Sequence, residues 1–249
     1  VAEVFQDVSG EDGWLRMRNA IGISGKSCFE AAADIQGLLP GAVLIGGSAA
    51  SIRVQHRYSF DADHILSDLK DTYEKVLDFL EGRDDWETVR IPPPKLILGN
   101  FQGVKTGIRQ LMRRRPLETE QVEIAGGKSI TLPTVAEMLR TKAWMIISRN
   151  ATRDFIDFAA LADHLGAKAA VRVLEDFDDY YSDLIRGEKA SPVVQLVRQL
   201  AEPSPGDLDE IDLSRYKGIR PPFDSWSHIV GICETVSVGL GTRLADIQE

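Results

Sequence analysis

Apolar positions fall into two regimes along the chain, alternating or short runs in the first half and helical stripes in the second. From Ser27 to Leu39, Phe29, Ala32, Ala33, Ile35, Leu38 and Leu39 recur at helical spacing, and Pro40-Gly41 ends the run. Ala42–Ile45 is a short apolar stretch broken at Gly46-Gly47, the pattern of a buried strand entering a tight turn. In YSFDADHI, Tyr58, Phe60, Ala62 and His64 alternate with Ser59, Asp61, Asp63 and Ile65, which predicts a strand with both aspartates on one face. Period 3.6 then takes over: Ile65, Leu66, Leu69, Tyr73, Val76, Leu77 and Leu80 form one stripe of a helix closed by Gly82. The run Ile91–Lys95 (IPPPK) blocks helix and introduces a strand, KLILGNF. Thr119–Ile124 and Lys128–Leu132 flank Ala125-Gly126-Gly127 as a hairpin.

Past Leu132 the pattern is helical. Thr134 with Glu137 forms a capping box for a helix reaching about Arg149. A second helix spans Thr152–Leu165 and stops at Gly166, a third covers roughly Lys168–Ile185, and a fourth roughly Pro192–Ala201. Pro203, Pro205 and Gly206 break the chain, and the tail reads as an irregular loop plus one short helix. Strands first and helices after predict an α+β fold: a mixed-sheet domain over residues 1–132 and a helical domain over 133–249.

Composition changes this picture little. The 249 residues are 43% hydrophobic and 27% charged, ordinary for a soluble globular protein. No apolar run approaches the roughly 20 residues of a membrane span, and the first residues, VAEVFQDVSGEDGW, are unlike a signal peptide, so a cytoplasmic protein with no membrane partner is expected. Cys28 and Cys233, far apart and without CxxC spacing, are expected to be buried thiols. The net charge of −9 argues against a dedicated nucleic-acid binder. One segment departs from it: Lys95, Lys105, Arg109, Arg113, Arg114 and Arg115 occur with no acid among them. Such a segment suits a phosphate or RNA patch, an acidic partner, or a solvated helix face.

Candidate chemistry centres on Gly46-Gly47-Ser48 and Asp61-Ala62-Asp63. Glycines at a strand end let backbone amides approach an oxyanion, a serine hydroxyl can donate to phosphate, and a helix start there favours anions. Two same-face carboxylates repel unless a cation lies between them. Mg²⁺ suits them, since it takes hard oxygen ligands and leaves positions open for triphosphate oxygens. His64 falls on the opposite face and is expected in the core.

The stretch GGSAASIRVQHRYSFDADHI, followed by LPTVAEMLRTKAWMIISRNATRDFIDFAAL, resembles the AbiEii-type nucleotidyltransferase toxins, effectors of bacterial toxin–antitoxin and abortive-infection pairs. A strand, a Gly-Ser turn, a dozen residues and a DxD strand are also the signature of the DNA polymerase β-like nucleotidyltransferase fold. The resemblance implies phosphate and metal binding by Gly47, Ser48, Asp61 and Asp63, a nucleotide-phosphate lysine at Lys142, and a downstream acid at Asp154 or Asp157. It also implies a third carboxylate from a later strand, for which Glu123 is the candidate and Glu120 the alternative. The expected cofactor is Mg²⁺, and the expected partners are an NTP, an RNA acceptor such as a tRNA 3′ end, and a cognate antitoxin. Two departures are visible: twelve residues separate Ser48 from Asp61, and Ala62 stands where a branched aliphatic is commoner. Three other readings stay open. One is a non-catalytic nucleotide- or partner-binding module, and another an aminoglycoside-type transferase acting on a small molecule. In the third, Arg153, Asp154 and Asp157 form a buried ion-pair cluster tying the helical domain to the sheet.

Overall fold

The computed structural model describes residues 27–124, 126–185, 191–213, 216 and 218–248. They form two compact units. The first holds the described residues up to Ser48 with Phe60–Leu111 and Glu120–Leu132; the second holds Ala49–Ser59, Met112–Thr119 and the described residues from Pro133 onward. The partition thus gives residues 49–59 and 112–119 to the helical unit, although they precede Leu132 in sequence.

In chain order the first elements are α1 (Cys28–Leu38), β1 (Val43–Leu44), α2 (Gly46–Val54), β2 (Ala62–Leu66), α3 (Leu69–Glu81), β3 (Trp86–Arg90), β4 (Leu96–Phe101) and β5 (Val104–Gln110). A hairpin follows, β6 (Thr119–Glu123) and β7 (Ser129–Pro133). Ser27 caps α1 reciprocally: its hydroxyl accepts from the Glu30 amide, and the Glu30 carboxylate accepts from the Ser27 amide. The main sheet runs β1-β2-β5-β4-β3, with β2 and β5 parallel and every other neighbouring pair antiparallel. Helix α1 packs on β2, and α3 on β3 and β5. Ala62, His64, Ile97, Phe101, Thr106 and Ile108 are buried at alternate strand positions, which leaves Asp63, Lys105 and Arg109 on the other side.

Several elements differ from expectation for identifiable reasons. Strand β2 begins only at Ala62, and Ile65 and Leu66 complete it instead of opening the next helix. Strand β5, at the centre of the sheet, lies inside the basic segment; Lys105 and Arg109 alternate with Val104, Thr106 and Ile108 and mask its apolar signal. Its hairpin with β4 turns at Gln102-Gly103, whose positive φ values of 51° and 80° match a two-residue primed turn. Helix α2 grows directly out of the glycine turn.

The second unit consists of α4 (Val135–Arg149), α5 (Thr152–Leu165), α6 (Ala167–Leu174), α7 (Phe177–Tyr181), α8 (Pro192–Ala201) and α9 (Trp226–Gln248). The expected third helix is interrupted at Glu175-Asp176. The expected short terminal helix is instead 23 residues long and packs on α5, α6 and α8. Its glycines dilute the apolar stripe, yet one is required for contact: a Cβ at Gly239 would lie 2.8 Å from Val171 Cγ2 on α6. At α4 the capping box is half formed. Thr134 accepts from the Glu137 amide, while the buried Glu137 carboxylate pairs with Arg113 at 2.7 Å. Cys28 and Cys233 are free and buried as expected, and burial pushes both thiols up to about 12. No helix among the described residues is long and apolar enough to cross a membrane.

His64 lies in the core as expected, 0% exposed, with Nδ1–H donating to the Ala62 carbonyl at 3.0 Å. Burial pushes its pKa down to about 4. The unfolded chain binds a proton near pH 6.5, whereas folded His64 stays neutral down to about pH 4. Its contribution to stability is therefore complete above pH 6.5 and is lost as pH falls toward 4, by up to about 3 kcal/mol. His64→Leu is expected to flatten this slope in urea midpoints measured across that range. A slope equal to wild type would refute the assignment.

Candidate active site

In the first unit, two hydrogen bonds join the start of α2 to the acid-bearing strand. The Ile45 amide donates to the Asp63 carbonyl at 2.8 Å, and Ser48 Oγ donates to the Asp61 carbonyl at 2.6 Å. Gly46 enters the helix with φ +74°, a conformation open to glycine. Ser48 is 0% exposed and lies 3.6 Å from Cys28 Sγ. Its hydroxyl, expected to meet phosphate, holds the strand in this structure. What the turn offers an anion is its backbone, since first-turn amides have no partner within their own helix.

Asp61 immediately precedes β2 and Asp63 is its second residue. Both are half-buried with Ala62 fully buried between them, so alternation places both carboxylates away from the core. Asp63 lies over Gly107 of the neighbouring strand, where a Cβ would stand 2.2 Å from Asp63 Oδ1. Only glycine leaves that space. Arg109 Nη2 donates to Asp63 Oδ1 at 3.4 Å. The Asp61 carboxylate makes no hydrogen bond or ion pair among the described residues.

The pair fits a divalent cation in charge, in donor type and in the unpaired Asp61 carboxylate. The expected third carboxylate does not join it. Glu123 is exposed on the separate β6–β7 hairpin, Glu120 lies on the same strand, and no group of three acids, histidines or cysteines among the described residues is placed to hold a metal. In β5, beside Asp63, the corresponding side of the strand carries Lys105, Gly107 and Arg109.

In the second unit, Lys142 of α4 and Asp154 and Asp157 of α5 form a buried ionic cluster. Lys142 Nζ lies 2.7 Å from Asp157 and 3.2 Å from Asp154. Arg57 donates to both Asp157 oxygens at 2.7 and 2.9 Å, and His56 Nε2–H donates to Oδ1 at 2.6 Å. Arg149 binds both oxygens of Asp154. Arg153, expected in the cluster, is exposed. Sequence reading missed His56, Arg57 and Arg149; the clue was two aspartates i,i+3 on an otherwise apolar helix, which call for cations. Burial alone would raise the Asp157 carboxyl, but Arg57, Lys142 and His56 hold it well below the usual carboxylate range. Burial pushes the His56 pKa down, against the pull of Asp157. Arg57, Lys142 and Arg149 thus meet the two carboxylates.

The basic segment is not one surface. Arg113 is buried against Glu137, Arg115 lies 3.7 Å over the Tyr180 ring, and Arg109 serves Asp63.

These environments predict opposite responses to loss of charge. Asp157→Asn leaves buried Arg57 without its carboxylate and Lys142 with only Asp154, and is expected to cost about 3–5 kcal/mol of unfolding free energy. Asp61→Asn removes a half-exposed, unpaired charge and is expected to change stability by less than about 0.5 kcal/mol. Urea titration of both variants checks this, and equal losses would contradict the distinction.

No protein-family model matches the chain. The Heme uptake protein MmpL11 of Mycobacterium tuberculosis (strain H37Rv) is 42% identical over 98 residues, 39% of this chain and 10% of that protein. The Mycolic acid-containing lipids exporter MmpL11 of Mycolicibacterium smegmatis is 34% identical over 128 residues, 51% of this chain and 13% of that protein. The chain therefore spans only about a tenth of the length of these curated relatives. Among solved structures, MenT4, a nucleotidyltransferase toxin from M. tuberculosis H37Rv, superposes with a TM-score of 0.56 at 15% identity, covering 91% of this chain and 88% of that one. Over nine-tenths of its length the chain has the nucleotidyltransferase fold.

Proposed function

We propose that this protein is a metal-dependent nucleotidyltransferase that transfers a nucleotide from an NTP to an RNA acceptor such as a tRNA 3′ end, acting as an AbiEii-type toxin. The observation that carries this reading is the hydrogen-bonded union of the Gly-Gly-Ser helix start with the Asp61–Asp63 pair. It sets an anion-binding backbone beside two carboxylates on one side of a strand, the combination that a nucleoside triphosphate with its cation calls for.

In the reaction an acceptor hydroxyl oxygen bonds to the α-phosphorus, the bond to the β-phosphate oxygen breaks, and pyrophosphate leaves. Asp61 and Asp63 would hold Mg²⁺, which supplies charge neutralisation at the phosphates and a nucleophile of lowered pKa. The first-turn amides of α2 bind phosphate oxygens. Ser48 keeps those amides and the carboxylates in fixed relation. Arg109 lends positive charge on the Asp63 side. Lys142 is the family's triphosphate lysine by resemblance, and its ammonium is bridged by two carboxylates.

Purified protein incubated with labelled NTPs, total RNA and Mg²⁺ or Mn²⁺ is expected to label RNA. Asp61→Asn and Asp63→Asn are each expected to reduce labelling at least a hundredfold, or about 2.7 kcal/mol. No transfer to any acceptor class with either ion would overturn the proposal.

One observation favours a second reading. Part of this chain recurs in transport proteins many times its matched length, which supports a nucleotide- or partner-binding module without catalysis. Under that reading Asp61→Asn leaves the protein's effect in cells, read as growth after induction, unchanged.

A further inference from the structure

The sheet order β1-β2-β5-β4-β3 gives the acid-bearing strand two different neighbours. On one side lies β1, which leads through Ile45 into the glycine start of α2. On the other lie β5, β4 and β3, whose register sets their side chains out as a grid. Asp63, Gly107, Leu98 and Arg90 form one row across four strands, a register shift between Thr88 and Arg90 bringing Arg90 opposite Leu98. Ile65, Arg109 and Leu96 form the row ahead of it, and Lys105, Asn100 and Glu87 the row behind. Alternation turns all three rows away from the core that holds Ala62, Ile97, Thr106 and Ile108.

Two members of this grid converge on a third. A Cβ at Gly107 would lie 2.2 Å from Asp63 Oδ1 and 3.0 Å from Leu98 Cδ2, so a carboxylate and a leucine lean over the same glycine. Leu98, Leu96 and Ile65 are all half-buried, which leaves an accessible apolar floor directly beside the acid. Cations stand around that floor. Lys105 and Arg90 are exposed, and the Arg109 side chain is 40% exposed with only a long bond of 3.4 Å to Asp63. Lys105 and Arg109 are about 13 Å apart along β5, and Arg90 lies about 10 Å from Gly107 across two strand spacings. The same rows carry one carboxylate beyond Asp63: Glu87, at the far corner, where it accepts from Asn100 Nδ2 at 3.3 Å.

The transfer reading fixes a direction on this grid. In an in-line displacement the attacking and leaving oxygens lie on opposite sides of the phosphorus. With the triphosphate on the first-turn amides of α2, toward β1, the acceptor hydroxyl reaches the acids from the β5 side. Its sugar and base then lie over Gly107 and Leu98, and the phosphates behind it run among Lys105, Arg109 and Arg90. Apolar floor interleaved with cations is what a nucleotide chain offers surfaces to, base faces for the one and phosphates for the other. A base inside a duplex is covered on both faces and cannot lie on such a floor, so the strand end it suits is unpaired.

We propose that this side of β5, β4 and β3 is the acceptor track, taking the unpaired 3′ end of an RNA strand with its terminal nucleotide on Leu98 over Gly107 and its phosphates on Lys105, Arg109 and Arg90. The direction of approach rests on the transfer reading, whereas the binding itself requires neither metal nor NTP and is tested without them.

The test is fluorescence anisotropy of a labelled single-stranded oligoribonucleotide with a free 3′ hydroxyl, titrated with the full chain. Lys105→Gln and, separately, Arg90→Gln are each expected to weaken binding about fivefold and to lower the slope of log affinity against log salt by roughly 0.7. Leu98→Gln is expected to weaken binding several-fold with that slope unchanged, because it removes floor and no charge. These side chains are exposed or half-buried, and urea midpoints equal to wild type establish that the variants fold. Asp61→Asn is expected to bind RNA at least as tightly as wild type, so loss of transfer and loss of the track are read separately. In the labelling assay Lys105→Gln is expected to raise KM for RNA and leave KM for the NTP unchanged. Absence of RNA binding, wild-type affinity in both charge variants, or equal affinity for duplex RNA or a polyglutamate peptide would overturn the proposal.

Discussion

The hydrogen bond from Ser48 Oγ to the Asp61 carbonyl, with its companion from the Ile45 amide to the Asp63 carbonyl, makes a helix start and a strand into one piece. The part-buried hydroxyl–carbonyl bond of 2.6 Å fixes this geometry, because opening it costs the hydrogen bond of a fully buried serine. Register adds a further constraint. Slipping β2 by one residue would bring Asp63 into the core and His64 out of it. Gly107 adds a third, since any side chain there would occupy the space of the Asp63 carboxylate. The positions of both acids are thus determined from several directions at once.

Charge in the helical unit obeys a different logic. Asp154 and Asp157 are fully buried, and each is met by at least two cationic side chains at hydrogen-bond distance. Such a network contributes little net stability compared with an apolar core, but removing one member is costly. This accounts for why a lysine assigned to nucleotide binding by resemblance is also a structural member. Lys142 is held between the Asp154 and Asp157 carboxylates. The ion-pair reading of these residues and the functional one are therefore compatible.

Much of this was legible in the sequence where one signal acted alone. The acid pair and the buried His64 followed from strict alternation, and α5 and α8 from a glycine stop and a proline start. Reading failed where two signals competed. Lys105 and Arg109 made a central strand look like a basic surface, although their alternation with Val104, Thr106 and Ile108 was present. Two glycines at the head of α2 read as a turn because glycine lowers helix propensity, and the helix nonetheless begins at Gly46 and runs on through SAASIR. His56 and Arg57, two partners of Asp157, lie about a hundred residues away in sequence, beyond the reach of any local pattern. So does the lack of a third carboxylate beside the pair among the described residues, which depends on which strand lies beside β2.

The fold by itself does not separate an enzyme from a binding module, since 15% identity suffices to keep it and a matching segment occurs in much longer transport proteins. The charge at Asp61 discriminates better. Asp63 has Arg109 at 3.4 Å, a guanidinium 40% exposed and weakened by solvent, whereas Asp61 has no cation among the described residues. Two carboxylates one residue apart on one side of a strand repel each other in the folded state, and asparagine at either position would relieve that repulsion without disturbing the packing. A scaffold free of catalytic demand gains by that exchange. Both acids are nonetheless present, Asp61 without a cationic partner among the described residues and Asp63 with only the half-exposed Arg109, beside amides that favour phosphate.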